Sequence, residues 1–353
     1  MQAWAVVQNG KPLEEIELPT PEPTGEQVLL AVSHCGVCHS DLHIWDGYYD
    51  LGGGKRLTLK DRGVTLPLAM GHEIVGRVTK IGPAVSGVRI GDQRLVFPWL
   101  GCGHCKRCLE GEDSLCQTPS SIGVHRHGGY ATHVLVPHSR YLIDFGTLDP
   151  TVAATYACSG LTAYGAIKKV LPLPPDDAVL IVGAGGLGLN AIGILKALGH
   201  RRIVIVDVSE AKRQGALAAG ATDVVDGSGD DVTQRVLDVC GGPVKAIIDL
   251  VSSTETARFS FNALQRGGKL VQVGLFGGEL SLPLPLMATR ALTIQGSYVG
   301  NPGDLRELIN LAQSGKVQPL PVTAMRRSEV NEALIRLKEG RVAGRIVLTA
   351  EAV

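Results

Sequence analysis

The stretch GCGHCKRCLEGEDSLC, residues 101 to 116, sets Cys102, Cys105, Cys108 and Cys116 in C-x2-C-x2-C-x7-C spacing within one hydrophilic loop. Such short spacings let a loop wrap a tetrahedral ion, and four thiolates leave no open position, which is the make-up of a structural zinc site. An iron–sulfur cluster or a set of redox thiols is the alternative, although the loop lacks the proline that often follows a ferredoxin-type ligand run.

A second set of donors is scattered: Cys38 in CGVCHSD, His72 and Glu73 in GHE, and Cys158 in ACSGLTAYG. Brought together by folding, two sulfurs and one imidazole would suit a catalytic zinc with its fourth position open. Taken singly, each of these residues is equally at home as a structural His or Cys.

A third pattern is VLIVGAGGLG, in which Gly183, Gly185 and Gly188 have G-x-G-x-x-G spacing between an apolar run and a helical stretch. Asp207 lies nineteen residues beyond Gly188, at the end of the next apolar run, RIVIVD. Glycines there let backbone approach a pyrophosphate at a helix N-terminus, and Asp207 can accept hydrogen bonds from the ribose hydroxyls. A carboxylate would repel a 2′-phosphate, so NAD is expected over NADP, with Lys212 near enough to assist at the ribose. The alternative is a glycine-rich turn that only packs a helix on a sheet.

These residues need two kinds of scaffold. Up to about residue 155, short β-branched runs such as QVLLAVSHCGV, EIVGRVTKIG and HVLVP alternate with Gly- and Pro-rich loops, which reads as irregular β structure. From about 176, VLIVGAG, RIVIVD, KAIIDLV and KLVQVGL are nearly continuous apolar runs separated by helix-like segments. Parallel strands buried on both faces and alternating with helices explain that texture. The expected division is a catalytic domain over 1–157, to which 297–353 returns, and a Rossmann-type, doubly wound parallel-sheet domain over 158–296.

With 353 residues the chain exceeds the size of one growing core. Lys+Arg and Asp+Glu both number 34, so no field of one sign attracts nucleic acid or an anionic membrane, and a small-molecule partner is expected. The start MQAWAVVQNGKPLEEIELP has neither the basic start nor the apolar core of a signal peptide. The longest uncharged run, residues 178 to 195, is interrupted by the GAGGLG turn and does not read as a membrane span. The expected compartment is the cytoplasm, where eight cysteines point to metal ligands or reactive thiols rather than disulfides.

CGVCHSDLH, GHEIVG, the four-cysteine loop, CSGLTAYG, GAGGLG with Asp207, and the late GRIVL occur in an order that resembles the zinc-dependent medium-chain alcohol dehydrogenases over essentially the whole chain. The spacing around HIWDGYYDLGGG is similar to their bacterial and archaeal tetrameric branch. That resemblance implies a mainly-β GroES-like catalytic domain beside the Rossmann domain, a homotetramer, NAD, and two Zn2+ per chain. It implies that Cys38, His72 and Cys158 hold the catalytic zinc, with Glu73 a carboxylate able to approach it, and that the four-cysteine loop holds the structural one. Sorbitol-type relatives place a carboxylate where this chain has Cys158, which favours simple alcohols. It also implies cofactor contacts at His39, Thr162, Gly186, Leu187, Val273 and Arg345, and a substrate pocket lined by Tyr49 and Trp99. Arg345 in an ion pair, and Tyr49 and Trp99 as plain core, are the alternatives.

The implied reaction is reversible oxidation of a primary or secondary alcohol to an aldehyde or ketone. Zinc acts as a Lewis acid that lowers the alcohol pKa, and hydride passes to nicotinamide. Ser40, two residues after Cys38, would accept the proton and His43 would pass it towards solvent; otherwise Ser40 is a helix cap and His43 a surface histidine. Rival readings are a zinc dehydrogenase for polyols or aromatic alcohols, and a non-catalytic nucleotide-binding relative. Segment 50–67 departs in length from the shortest family members, which leaves the outer pocket open.

Overall fold

In the computed structural model, which describes residues 1–350, the unbroken apolar runs become strands covered on both faces. Val179–Val182, Ile203–Asp207 and Val244–Asp249 are three of the four inner strands of a six-stranded, all-parallel sheet. Its order is Asp223–Asp226, Ile203–Asp207, Val179–Val182, Val244–Asp249, Leu264–Gln272, Thr293–Gly296. The chain winds outward in both directions from Val179–Val182, so a crevice opens at the strands' carboxyl ends where the winding reverses, the usual ligand position of a doubly wound sheet. The helix Gly186–Ala197 begins at that crevice directly after the glycine turn.

The second sheet is mainly antiparallel and has seven strands. Its centre is the ten-residue Val28–Val37, flanked by Glu73–Ile81 and by His133–Val136 and Arg345–Thr349. The late strand Arg345–Thr349 pairs antiparallel with Val28–Val37, Ile346 opposite Val37, and parallel with Val322–Arg326. The molecule is thus an α/β protein with a Rossmann sheet and a separate, mainly-β sheet. Segment 50–67 supplies an antiparallel hairpin, Tyr48–Gly52 with Lys55–Thr58, followed by the helical turn Lys60–Arg62.

The two sheets are joined by helix over 150–170. Pro150–Thr155, started by Asp149 whose side chain accepts from the Thr151 and Val152 N–H groups, runs into a π-helical turn, Tyr156–Gly160, and then into Leu161–Val170. A single widened turn of this kind re-aims side chains and is frequent at functional sites. Among the described residues no helix is long and apolar enough to cross a membrane.

Candidate active site

Three elements converge on the scattered donors. Cys38 directly follows Val28–Val37 and caps helix His39–Asp46, His72 immediately precedes Glu73–Ile81, and Cys158 sits in the π-helical turn. One ligand atom from each lies within 4.8 Å of the others, and all three residues are buried. The sulfurs are 3.7 Å apart; two sulfurs bound at about 2.3 Å in a tetrahedron would stand roughly 3.8 Å apart.

His72 Nδ1 stands 3.2 Å from Asp41 Oδ1, within ion-pair distance, and both ring nitrogens are buried without a well-aligned hydrogen bond. An orphaned buried nitrogen beside two buried sulfurs is destabilising in a protein without metal, and a zinc ion is what this donor set fits. Asp41, which sequence reasoning missed, also accepts from the Cys38 N–H at 2.9 Å and the Tyr130 hydroxyl at 2.9 Å. It fixes both the imidazole and the cysteine turn, the usual work of a carboxylate behind a ligand histidine. Its place three residues after Cys38, in CHSD, was the available signal.

The Cys158 thiol draws the Cys38 thiol well below its ordinary value against the opposing effect of burial, with help from His72. Cys158 is pushed up correspondingly by Cys38 and by burial. Burial alone would lower His72, but Asp41 and Cys38 outweigh it and raise it. The pocket therefore favours the thiolate, the form that binds metal, at Cys38 and disfavours it at Cys158.

Glu73 is fully buried, accepts from the Ser159 N–H at 3.0 Å, and pairs through its other oxygen with Arg345, itself only 4% exposed. Burial raises its carboxyl, with Arg345 opposing. Both expected roles are thus partly occupied by one contact: Glu73 is turned to Arg345, and the Arg345 guanidinium to Glu73. Arg345 still borders the cleft, and a Cβ on Gly186 would lie 2.3 Å from its Cδ.

A cavity of about 940 Å3 runs between the sheets. It is lined by Cys38, His39, Ser40, His43, Cys158 and Thr162 at one end, and by Gly183, Gly185, Gly186, Leu187, Gly188, Asp207, Lys212 and Val273 along the crevice. Gly183 needs its φ of +103°, and a Cβ on Gly188 would meet the Gly183 carbonyl at 2.1 Å. Asp207 accepts from the Ala184 and Ser209 N–H groups at 2.8 and 2.9 Å, so it braces the turn as well as facing the cleft.

Ser40 and His43 lie three apart on helix His39–Asp46, hence on one face. The His43 ring stands 5.7 Å from His39 and 5.0 Å from Tyr49, and desolvation followed by the nearness of His39 lowers its pKa. The Trp99 ring packs 5.1 Å from His72 and 5.7 Å from Tyr298, with its indole N–H donating to the Ala157 carbonyl at 3.2 Å. Tyr298, in GSYVG, completes this aromatic wall and was not singled out from sequence, where an aromatic beside glycines carries no positional signal.

The four-cysteine loop forms a separate cluster with its sulfurs within 4.8 Å of one another. Sulfur separations of 3.5 Å for Cys105–Cys108, 3.8 Å for Cys105–Cys116 and 4.0 Å for Cys102–Cys108 match a tetrahedral S4 shell. Backbone N–H groups of residues 102, 105 and 118 donate to these sulfurs, and the His104 and Cys105 amides lower Cys102 to about 6. Asp113, buried and bonded to Arg140 and Tyr141 at 2.7 Å each, ties the lobe to the body. All eight cysteines are free. Cys35, fully buried, and Cys240, pushed up to about 11 by burial, belong to neither cluster.

A dinucleotide crevice, a buried open-sided donor set and a closed four-sulfur lobe define a two-domain, zinc-binding dehydrogenase. Residues 24–145 match the alcohol dehydrogenase GroES-like domain and residues 186–314 the zinc-binding dehydrogenase domain. An NAD-dependent alcohol dehydrogenase of Sulfurisphaera tokodaii is 39% identical over 350 residues, 99% of each chain. A D-arabinose 1-dehydrogenase (NADP(+)) of Saccharolobus solfataricus is 33% identical over 96% of this chain and 95% of its own. The solved alcohol dehydrogenase of Aeropyrum pernix superposes with a TM-score of 0.89 at 32% identity, covering 99% of this chain and 100% of that one. The chain belongs to the zinc-dependent medium-chain alcohol dehydrogenase family.

Proposed function

We propose that the protein is an NAD-dependent zinc alcohol dehydrogenase that reversibly oxidises primary or secondary alcohols to aldehydes or ketones. The observation that carries the reading is the Cys38–His72–Cys158 set, with His72 Nε2 unsatisfied, at the cavity that also holds the glycine turn and Asp207. Cys38, His72 and Cys158 would hold one zinc, and Cys102, Cys105, Cys108 and Cys116 the other. When bound, the catalytic zinc supplies Lewis acidity at the alcohol oxygen and NAD supplies the hydride acceptor.

The chain's own residues do the rest. Ser40 takes the hydroxyl proton, and His43, held neutral by its lowered pKa, receives it on the same helix face. Trp99, Tyr49 and Tyr298 keep water from the reacting end, and Thr162, Leu187 and Val273 pack the nicotinamide end of the crevice. Asp207 accepts from the adenosine ribose and disfavours a 2′-phosphate, with Lys212 beside it and His39 towards the pyrophosphate. Arg345 holds Glu73 and borders the same cleft.

The catalytic unit in this reading is 1–157 with 297–353, and the cofactor unit 158–296, supported by the pairing of Arg345–Thr349 with Val28–Val37. A cytoplasmic homotetramer belongs to the same reading and rests on the resemblance of the HIWDGYYDLGGG region to the tetrameric branch of the family. The test is NADH formation by zinc-loaded protein across primary, secondary, aromatic and sugar substrates, with NAD and NADP compared. We expect turnover with simple alcohols and NAD favoured at least about tenfold. No turnover of any alcohol, or equal efficiency with NADP, defeats the reading in its enzymatic or its cofactor part respectively.

A further inference from the structure

The cavity at the donor set is continuous with a second chamber of about 830 Å3 beneath the hairpin Tyr48–Thr58 and the loop 274–282, the two sharing Tyr49, Arg62, Trp99, Leu115, Leu275 and Tyr298 in their walls. Among the described residues, Arg62 is the one charged residue common to both walls. Its guanidinium carbon stands 5.7 Å from the centre of the Tyr49 ring, and Tyr49 packs on His43 at the catalytic end.

Among the described residues no carboxylate neutralises it. Asp61, next in the chain, accepts from the Thr58 hydroxyl at 2.5 Å, and Asp50 from the Gly52 N–H at 2.8 Å. Asp113 is taken by Arg140 and Tyr141, and Glu279 faces Lys55 at 4.0 Å. Among the described residues Arg62 has no ion-pair partner. Its backbone is nonetheless fixed: the turn Lys60–Arg62 donates its Arg62 N–H to the Leu59 carbonyl at 3.0 Å and is closed by Gly63 at φ +82°.

We propose that Arg62 anchors a carboxylate on the substrate, so that the preferred substrates are alcohols with a ring-sized apolar body and a carboxylate remote from the hydroxyl. This rests on the alcohol dehydrogenase reading above. A planar guanidinium presents two parallel N–H donors that match a carboxylate, and the Tyr49 ring beside it offers an apolar face to the body of such a substrate. Trp99, Tyr298 and Tyr49 flank the body of such a substrate between the metal end and the guanidinium. Arg62 is exposed, which leaves the anionic end an approach from solvent.

The experiment compares 4-(hydroxymethyl)benzoate with benzyl alcohol, using NAD and the zinc-loaded full chain as wild type, Arg62→Met and Arg62→Lys. We expect wild type to favour the carboxylate by about tenfold or more in kcat/KM, chiefly through KM, as a charge-assisted bidentate bond allows. The ratio should fall to about one in Arg62→Met and stay intermediate in Arg62→Lys. A wild-type ratio of one or below, or a ratio unchanged in Arg62→Met, overturns the proposal while leaving the dehydrogenase reading intact. Should benzyl alcohol and all other neutral alcohols fail to turn over, that reading fails instead. Calorimetric titration with 4-methylbenzoate then decides the anchor, with binding in wild type that Arg62→Met abolishes supporting it and no wild-type binding overturning it. If Arg62→Met does not fold, the wild-type ratio and Arg62→Lys carry the decision.

Discussion

At the scale of single residues, Asp41 shows how a site depends on groups behind its ligands. With its carboxylate on His72, on the Cys38 amide and on Tyr130, Asp41→Asn should loosen imidazole and sulfur together. We expect zinc affinity or turnover to fall about 10- to 100-fold, read by metal analysis after dialysis and by steady-state rates; unchanged values would make Asp41 a packing residue only. His43 gives a pH prediction. Desolvation and His39 hold it below the ordinary 6.5, so it is a neutral acceptor at pH 7. Alcohol oxidation should therefore hold through neutrality and fall as pH drops through that lowered value, and His43→Gln should flatten this acid limb. An acid limb identical in the variant would remove His43 from the relay. Cys38, His72 and Cys158 were legible as a candidate set only through the family resemblance of the motifs around them, since each alone is equally at home as a structural residue. Asp41 and Tyr298 were not, because a carboxylate and a phenol have many ordinary uses and only the fold reveals what they touch.

At the scale of elements, legibility followed the strength of the local signal. VLIV, IVIVD and VKAIID announce buried parallel strands by lacking polar alternation, and GAGGLG marks a turn whose first glycine has positive φ. The π-helical turn around Cys158 left no trace, since one widened turn hardly alters helical periodicity; it is tertiary packing that selects it. The cysteine lobe, by contrast, is almost all signal and little packing, with Leu109 75% exposed and its short helix Lys106–Leu109 too brief to stand alone. Cys105→Ser should thus lower melting temperature and soluble yield and reduce zinc from two ions per chain towards one, since structural zinc contributes on the order of 10 kcal/mol of apparent binding free energy in small peptides. Protein of that variant that stays folded should keep its catalytic zinc. Wild-type stability and metal content in Cys105→Ser would show that the lobe holds no metal.

At the scale of the whole molecule, the texture of the sequence separated the two kinds of sheet, but where the late strand would lie was decided by a contact far away in the chain. Arg345 reaches Glu73 across that sheet, and an ion pair this buried leaves a bare charge when either member is removed. Arg345→Met should cost about 3–5 kcal/mol in denaturant unfolding, and adding Glu73→Gln should recover part of it. A double variant no more stable than Arg345→Met would mean that Arg345 acts through packing alone. The strand has a consequence in time as well as in space. During synthesis Cys38 and His72 emerge early, yet Val28–Val37 gains its Arg345–Thr349 neighbour only some 300 residues later, which at 5–20 residues per second is roughly 15–60 s. Through that interval the nascent chain carries an unpaired strand edge together with a thiol and an imidazole suited to metal, and the late strand Arg345–Thr349 closes the sheet that Val28–Val37 begins.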